Sequence, residues 1–558
     1  MLSLVQGCSV LHTLPKLLPV QLTASDLGSL QASLQHAPTA LRKAVLDEAQ
    51  AGLLEADASV SNKQDNTSSE AVLQALLSST SQVMLSPDAE FEVFDNIVNG
   101  NQLSIRQSFI AALSAYLTSP SFHCQQPLYF RYFQQRYYDS RKLASCSWSV
   151  PFAVMQEREG LKQTQLDMRR VRFIHLLFAG EGEALASRFG HVALRLIVCP
   201  EAQSSSDADC NANLAEHVVL GFGAHVNDLE LDIVKALKGD YQAYLFAANF
   251  LDTYRNYAIS EFREVYSVPF NINTLQREQM LSELSEIHWR FKDDYAFFSK
   301  NCTGLLQQAL NILLPGFDKG EGMDDLFIRP DSFFEAVKGS DWLETYRLDT
   351  LEMAEQEGYY FSSTKPFYDR AVEAVLGAMS APEFDDVDGY LEANPVMRRK
   401  AIESDVKYAE QLRQDEHLLE AQLMLEELAI IRSERRIMTV AANYFKDLDV
   451  PKIEVIRRAL NTEQLMTFES CLLTPIKLIA QPIPRLAEIP DIADVPQFER
   501  LSKACKSEEG RESLRQVLDI LKNNDPEHWE KIAAFSFYMT ESYRNVEYLQ
   551  TGLKSALP

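Results

Sequence analysis

The sequence predicts an α+β protein. A central domain over residues 166–335 alternates strand and helix patterns, between a mostly helical N-terminal region, 1–165, and a helical C-terminal region, 336–558. Three observations predict this. From Val171 onward, VRFIHLLF, HVALRLIVC, HVVLGFG and FREVYSVPF are β-rich runs, and HVALRLIVC alternates strictly with the period of a strand. Between them stand stretches such as NTLQREQMLSELSEIHWRF, where Asn273 can cap a helix and Gln276 can close the capping box. Beyond about Asp341 the strand signals fade.

In the N-terminal region, residues 22–55 read as amphipathic helix, and ASVSNKQDNTSSE after them has the composition of a linker. Helical pattern resumes over Ala71–Leu85 and Ile105–Leu117, followed by the aromatic-rich PLYFRYFQQRYY. The start, MLSLVQGCSV, is similar to the end of a bacterial lipoprotein signal: Gly7 precedes Cys8, which would be the lipidated anchor of an exported, periplasmic protein. The charged and fully apolar parts of such a signal are missing, which leaves two readings, a signal cropped by a late start or no signal at all. In the C-terminal region, the stretch from Pro395 to Phe445 is rich in strong helix formers and reads as one or two long helices.

Composition narrows the partners. A formal charge of -26 argues against nucleic acid, whose binding needs cationic side chains that release counterions. No apolar run approaches the roughly 18–20 residues of a membrane-spanning helix, so no transmembrane segment is expected. Among eight cysteines, Cys199 and Cys210 bracket a short polar loop and are expected to bridge, with Cys124/Cys146 and Cys471/Cys505 as further candidate pairs. A bridge across so short a loop is worth about 3 kcal/mol and implies an oxidising compartment. Cys8 and Cys302 are left single.

Two groups carry candidate chemistry. Alternation in HVALRLIVC puts Val192, Leu194, Leu196 and Val198 on one strand face and His191, Ala193 and Arg195 on the other, so the histidine faces away from the most apolar side. Gly190 before it permits close backbone approach or an unusual turn. In YAFFSKNCTGLLQQALNILL, apolar residues fall at helical spacing and Ser299 or Asn301 suits the cap, which places Cys302 in the first turn. Unpaired amides and the positive end of the helix dipole there stabilise a thiolate. Each residue alone also fits a bland role, a satisfied strand histidine or a small buried hydrophobe. Together they make a thiol nucleophile with an imidazole base, and the amides at the helix start would stabilise an oxyanion.

An imidazole base usually has an orienting partner, and His217, opening the next strand, is the first candidate. Glu261 and Arg263 in EFREVY are read as an ion pair on one strand face. Asp294 and Tyr295, just before the cysteine helix, are candidates to line the site. GEGEALASRFG has neither dinucleotide nor phosphate-loop spacing, and no HExxH or CxxC is present. A zinc site from His191, His217 and His225 has no spacing motif behind it. No metal or organic cofactor is required by this chemistry.

The ordered set SRFGHVALRL, ALKGDY, NYAISEFREVYSVPFNI and DDYAFFSKNCTGLL, over about residues 170–315, resembles the N-terminal periplasmic domain of the Lnb lipoprotein transacylases and their relatives. The resemblance implies a papain-like fold of the permuted NlpC/P60 branch, with the histidine strand before the cysteine helix, His191 as base and Cys302 as nucleophile. Lnb moves an acyl chain within a lipoprotein through a thioester, and then continues into membrane-spanning helices, which this sequence does not. That difference leaves the substrate open, because fold and family do not fix one.

The expected function is therefore an exported thiol acyltransferase, amidase or hydrolase working through a Cys–His pair. Its substrate would be a lipoprotein, lipid or peptide carrying an ester or amide in the bacterial envelope. The rival is a non-enzymatic periplasmic binding or scaffold protein on a degenerate papain-like domain. Oligomeric state is not legible.

Overall fold

The strand and helix signals resolve into helices and one mixed sheet. The computed structural model describes residues 33, 37, 41, 43–45, 88–100, 103–137, 142–156, 160–182, 190–201, 205–225, 241–295, 300–317, 329–446, 458–467, 512, 516, 517, 519, 520, 522, 523 and 526–552. Cys8, Ser299, the Cys471/Cys505 pair, the 58–70 linker and the helical pattern of 71–85 lie outside them, as does nearly all of 22–55. The chain divides into two compact units, Met1–Ser147 with Ser282–Asp293, and Trp148–Leu281 with Asp294–Pro558.

In the first unit, α1 (Ala89–Asn99) starts where the Asp88 side chain accepts the Phe91 amide, and α2 (Ile105–Thr118) starts at a Ser104–Gln107 capping box. The short α3 (Phe122–Gln125) leads into α4 (Pro127–Arg136), whose first residue is proline, the one residue that loses nothing by lacking an amide there. The aromatic run supplies the core. Phe91 stacks on Tyr129 with centroids 5.4 Å apart and meets Phe109 edge-on at 4.9 Å. Cys124 and Cys146 are bridged. The last turns of a helix spanning Thr274–Arg290 also belong here, and Glu286 on them accepts the Leu128 amide at 2.8 Å, capping α4 from another element.

The second unit is built on a sheet that is nine-stranded among the described residues. Its strands are β1 (Ser149–Gln156), β2 (Gly160–Asp167), β3 (Val171–Ala179), β4 (His191–Val198), β5 (Val218–His225), β6 (Tyr241–Asn249), β7 (Val265–Pro269), β8 (Asp293–Tyr295) and β9 (Tyr360–Phe361). The order is β2-β1-β6-β5-β4-β3-β7-β9, with β8 pairing β6. β1 and β6 run parallel and the other neighbours along that order antiparallel. The sheet reaches beyond 166–335 at both ends: β1 and β2 come from the stretch read as helical, and β9 from the helical C-terminal region. GLKQTQLD shows no apolar alternation because β2 is an edge strand. Tyr360–Phe361 is too short to have a period.

Cross-strand partners share a face. Opposite His191, Ala193 and Arg195 on β4 stand Ala179, Leu177 and His175 on β3. This face is packed by Phe250 and Tyr254 of the helix Phe250–Tyr254 and by Tyr257 just after it. On the other face Phe178, paired with Val192, stacks on Phe334 of the helix Pro330–Lys338 with centroids 4.7 Å apart. Cys199 and Cys210 are bridged and buried beside Ile197, as the loop between them led us to expect. The Asn273–Gln276 capping box also forms, with reciprocal bonds of 3.0 and 2.9 Å.

The stretch read as one or two long helices is three: Pro395–Ser404, Val406–Gln414 and Glu416–Lys446. Two aspartates make the breaks. Asp405 accepts the Tyr408 amide at 3.0 Å and Asp415 the His417 amide at 3.0 Å, so each side chain caps a new helix start. Within this region Arg398 pairs with Glu426 through two bonds of 3.0 and 2.7 Å in the buried core.

Candidate functional site

The cysteine is placed by its cap. Asn301 accepts the amides of Thr303 at 3.0 Å and Gly304 at 2.9 Å, so the helix Cys302–Leu313 begins at the cysteine itself. Among the described residues Cys302 is the free cysteine. It is 6% exposed. Burial on its own would push the thiol up. The charge and hydrogen bond of the His191 imidazole outweigh it, with help from the Thr303 hydroxyl and the Val192 backbone, and the thiol ends below its ordinary value. The Thr303 Oγ1 lies 3.8 Å from the sulfur.

Tyr295 completes this side. Its hydroxyl hydrogen-bonds both the backbone and the sulfur of Cys302, and burial together with the negative sulfur keeps it protonated far above neutrality. The phenol oxygen thus takes up the Cys302 amide, and its hydroxyl is the donor that stands beside the sulfur.

The histidine is placed by glycines. Gly190 has φ +89°, and a Cβ there would lie 2.6 Å from the Phe178 ring and 2.7 Å from the Ala179 carbonyl oxygen. The chain therefore enters β4 through a backbone position that only glycine fills without displacement. Across the ladder, a Cβ at Gly221 would sit 3.4 Å from His191 Nε2. The Tyr257 ring stands on another side, its centroid 6.0 Å from that of the imidazole. At the mouth of β4 the sulfur meets both the His191 side chain and the Val192 backbone.

His217, expected as the orienting group, has its ring turned to other partners. Its Nδ1 faces the Arg195 guanidinium at 2.8 Å and its Nε2 lies 2.9 Å from the Cys210 carbonyl, so both nitrogens are engaged inside the core. Burial, then the arginine's charge, pull it down to about 3, which keeps it neutral. The side chain of His225 lies outside the described residues. Glu261 and Arg263 do pair, at 2.9 Å, but off the sheet, since β7 begins only at Val265. Asp294 is exposed. A group of metal-type donors, His123, Cys124 and Cys146, exists among the described residues, but its two sulfurs are bonded to each other.

Gly221 and Tyr257 escaped sequence reading. Gly221 had a usable signal, a glycine inside the strand run HVVLGFG, which marks close approach of another group. Tyr257 had none, because its contact with the imidazole depends on how the chain bends after Tyr254.

A helix-capped thiol thus stands hydrogen-bonded to a strand imidazole on a mixed α/β scaffold. Residues 157–332 match the family described as the Lnb N-terminal periplasmic domain, on the stretch whose motifs carried the resemblance. No curated protein and no solved structure matches the chain. The periplasmic domain family fits a periplasmic location, and no helix of the described residues is long and apolar enough to cross a membrane.

Proposed function

We propose that this is an exported envelope enzyme whose Cys302 attacks an ester or amide carbonyl, with His191 as the proton carrier, on a papain-like scaffold of the permuted type. The thiol passes its proton to His191 as the sulfur adds to the carbonyl carbon, and the Tyr295 hydroxyl, released from the sulfur once that bond forms, donates to the oxyanion. His191 protonates the departing alcohol or amine and leaves a thioester. Water then completes a hydrolysis, or an amine completes an acyl transfer, returning its proton to the imidazole. Lipoproteins, lipids and peptides of the envelope are the substrates this chemistry serves.

The observation carrying this reading is the Cys302 sulfur, at the start of the Asn301-capped helix, hydrogen-bonded to the His191 side chain. Alkylation of Cys302 by iodoacetamide, followed by peptide mass across pH, tests it. The expected profile shows reactivity well below the pH of an ordinary thiol and loses it in His191→Ala. A profile equal to that of a free thiol and indifferent to His191→Ala overturns it. Burial of the sulfur favours a second reading, a binding or scaffold protein in which the pair is a relic. A thiol inert to the alkylator at every pH selects that reading.

A further inference from the structure

After Tyr254 the chain tightens into a π-helical turn, Arg255–Ser260, and then passes through Phe262 at φ +55°. Both are disfavoured for ordinary residues and persist only where the surroundings hold them. Here they send three side chains to different places. Tyr257 reaches the His191 imidazole, with ring centroids 6.0 Å apart. Arg263, buried, lays its guanidinium 4.6 Å over the Tyr257 ring. It also donates to the Gly180 carbonyl at 2.7 Å and the Ala179 carbonyl at 2.9 Å, and Ala179 is the ladder partner of His191.

Phe262 goes elsewhere. It joins the core of the C-terminal helices, with Val375, Tyr390 and Leu425 in the same cluster, and the Arg432 guanidinium lies 4.9 Å over its ring. Its carbonyl accepts Ser363 Oγ at 2.7 Å, and the Ala258 carbonyl accepts the Thr364 amide at 3.2 Å. One bent segment is thus fastened to the helical region at one end and to the histidine's surroundings at the other.

We propose that Tyr257 and Arg263 are positioning residues for His191, and that Phe262 makes their placement depend on the C-terminal helices. Tyr257 limits the tilt of the imidazole. Arg263 fixes both that tyrosine and the β3 end against which His191 is registered. The helical region then acts as a brace for the thiol site, which gives this part of the chain a role in the reaction without touching substrate. The inference rests on the Cys302–His191 reading above.

Among the described residues, the titratable and charged groups met around the pair are Tyr295 on the sulfur side and, on the other, Tyr257 with Arg263 and its ion-pair partner Glu261 behind it. The test is the iodoacetamide profile of Cys302 in the full chain for Arg263→Ala, Tyr257→Leu and Phe262→Ala, each alone and combined with His191→Ala, with thermal melting to select folded variants. Arg263→Lys serves where the alanine variant does not fold. Each single variant is expected to slow alkylation at pH 6 at least 5-fold, and the combination with His191→Ala to slow it no further than His191→Ala alone. Lost stability by itself would not give that non-additivity. A His191-dependent profile that folded variants leave in place overturns this proposal and spares the functional reading. A wild-type profile unaffected by His191→Ala overturns both.

Discussion

Arg195 presents its buried guanidinium to Nδ1 of His217 at 2.8 Å, and its hydrogen-bond partners among the described residues are all neutral: this imidazole, the Ser267 hydroxyl at 3.1 Å and the Gly358 carbonyl at 3.0 Å. The Phe250 ring lies 3.7 Å below it. Burial pulls the guanidinium down to about 9, so it stays cationic at neutral pH and His217 must stay neutral beside it. The folded protein holds this histidine at about 3, against an ordinary 6.5, so between those values the unfolded chain binds a proton that the native chain refuses. Stability therefore falls as pH drops from about 6.5 toward 3. Urea midpoints across that window should show the fall, and His217→Leu should cost about 1–3 kcal/mol at pH 7 while leaving the Cys302 alkylation profile unmoved. A shifted profile would return His217 to the site.

Gly190→Ala puts a methyl group where the Phe178 ring and the Ala179 carbonyl already stand, on a backbone at φ +89°. We expect a loss of more than 1 kcal/mol in chemical denaturation. The same variant should slow Cys302 alkylation at pH 6, because the entry to β4 sets where His191 begins. Gly221→Val should leave β4 in place and still displace the imidazole, giving slow alkylation with a smaller stability loss.

Tyr295→Phe removes the hydroxyl that bonds to Cys302 and keeps the ring. With a thioester-forming activated ester as probe, the acylation rate should drop about 10²-fold, the scale of one oxyanion donor. Melting temperature should change little. An unchanged acylation rate would exclude the phenol from the oxyanion site.

Glu286 gives the first unit its own pH dependence. Burial raises its carboxyl to about 8 from an ordinary 4.5, with Arg290 and the Leu128 amide opposing. Between those values the unfolded chain releases a proton that the native chain keeps, so stability falls as pH rises from about 4.5 to 8. Glu286→Gln keeps an acceptor for the Leu128 amide without the charge. It should be more stable than wild type at pH 8, on the order of 2 kcal/mol, and equal to it near pH 5.

The features legible in sequence were those set by neighbours along the chain. Strict alternation located β4, Asn301 located the start of the cysteine helix, and the polar loop between Cys199 and Cys210 located their bridge. Features set by distant residues were not legible. His217 looked like an orienting imidazole because it opens a strand, and only folding brings Arg195 into reach of its Nδ1. Asp405 and Asp415 were invisible among helix formers because a single cap outweighs propensity only locally. The Arg263 contacts with Ala179 and Gly180 join segments that no pattern in EFREVY could connect.

β9 pairs with β7, and the Gly358 carbonyl just before it holds Arg195. A recombinant piece ending at residue 332, where the family match stops, would lack both. β7 would become a bare outer edge open to pairing with another copy, and a deeply sunk cation would lose one of its acceptors. Such a truncation should aggregate rather than report on the thiol, because the sheet that carries the pair extends past the matched stretch.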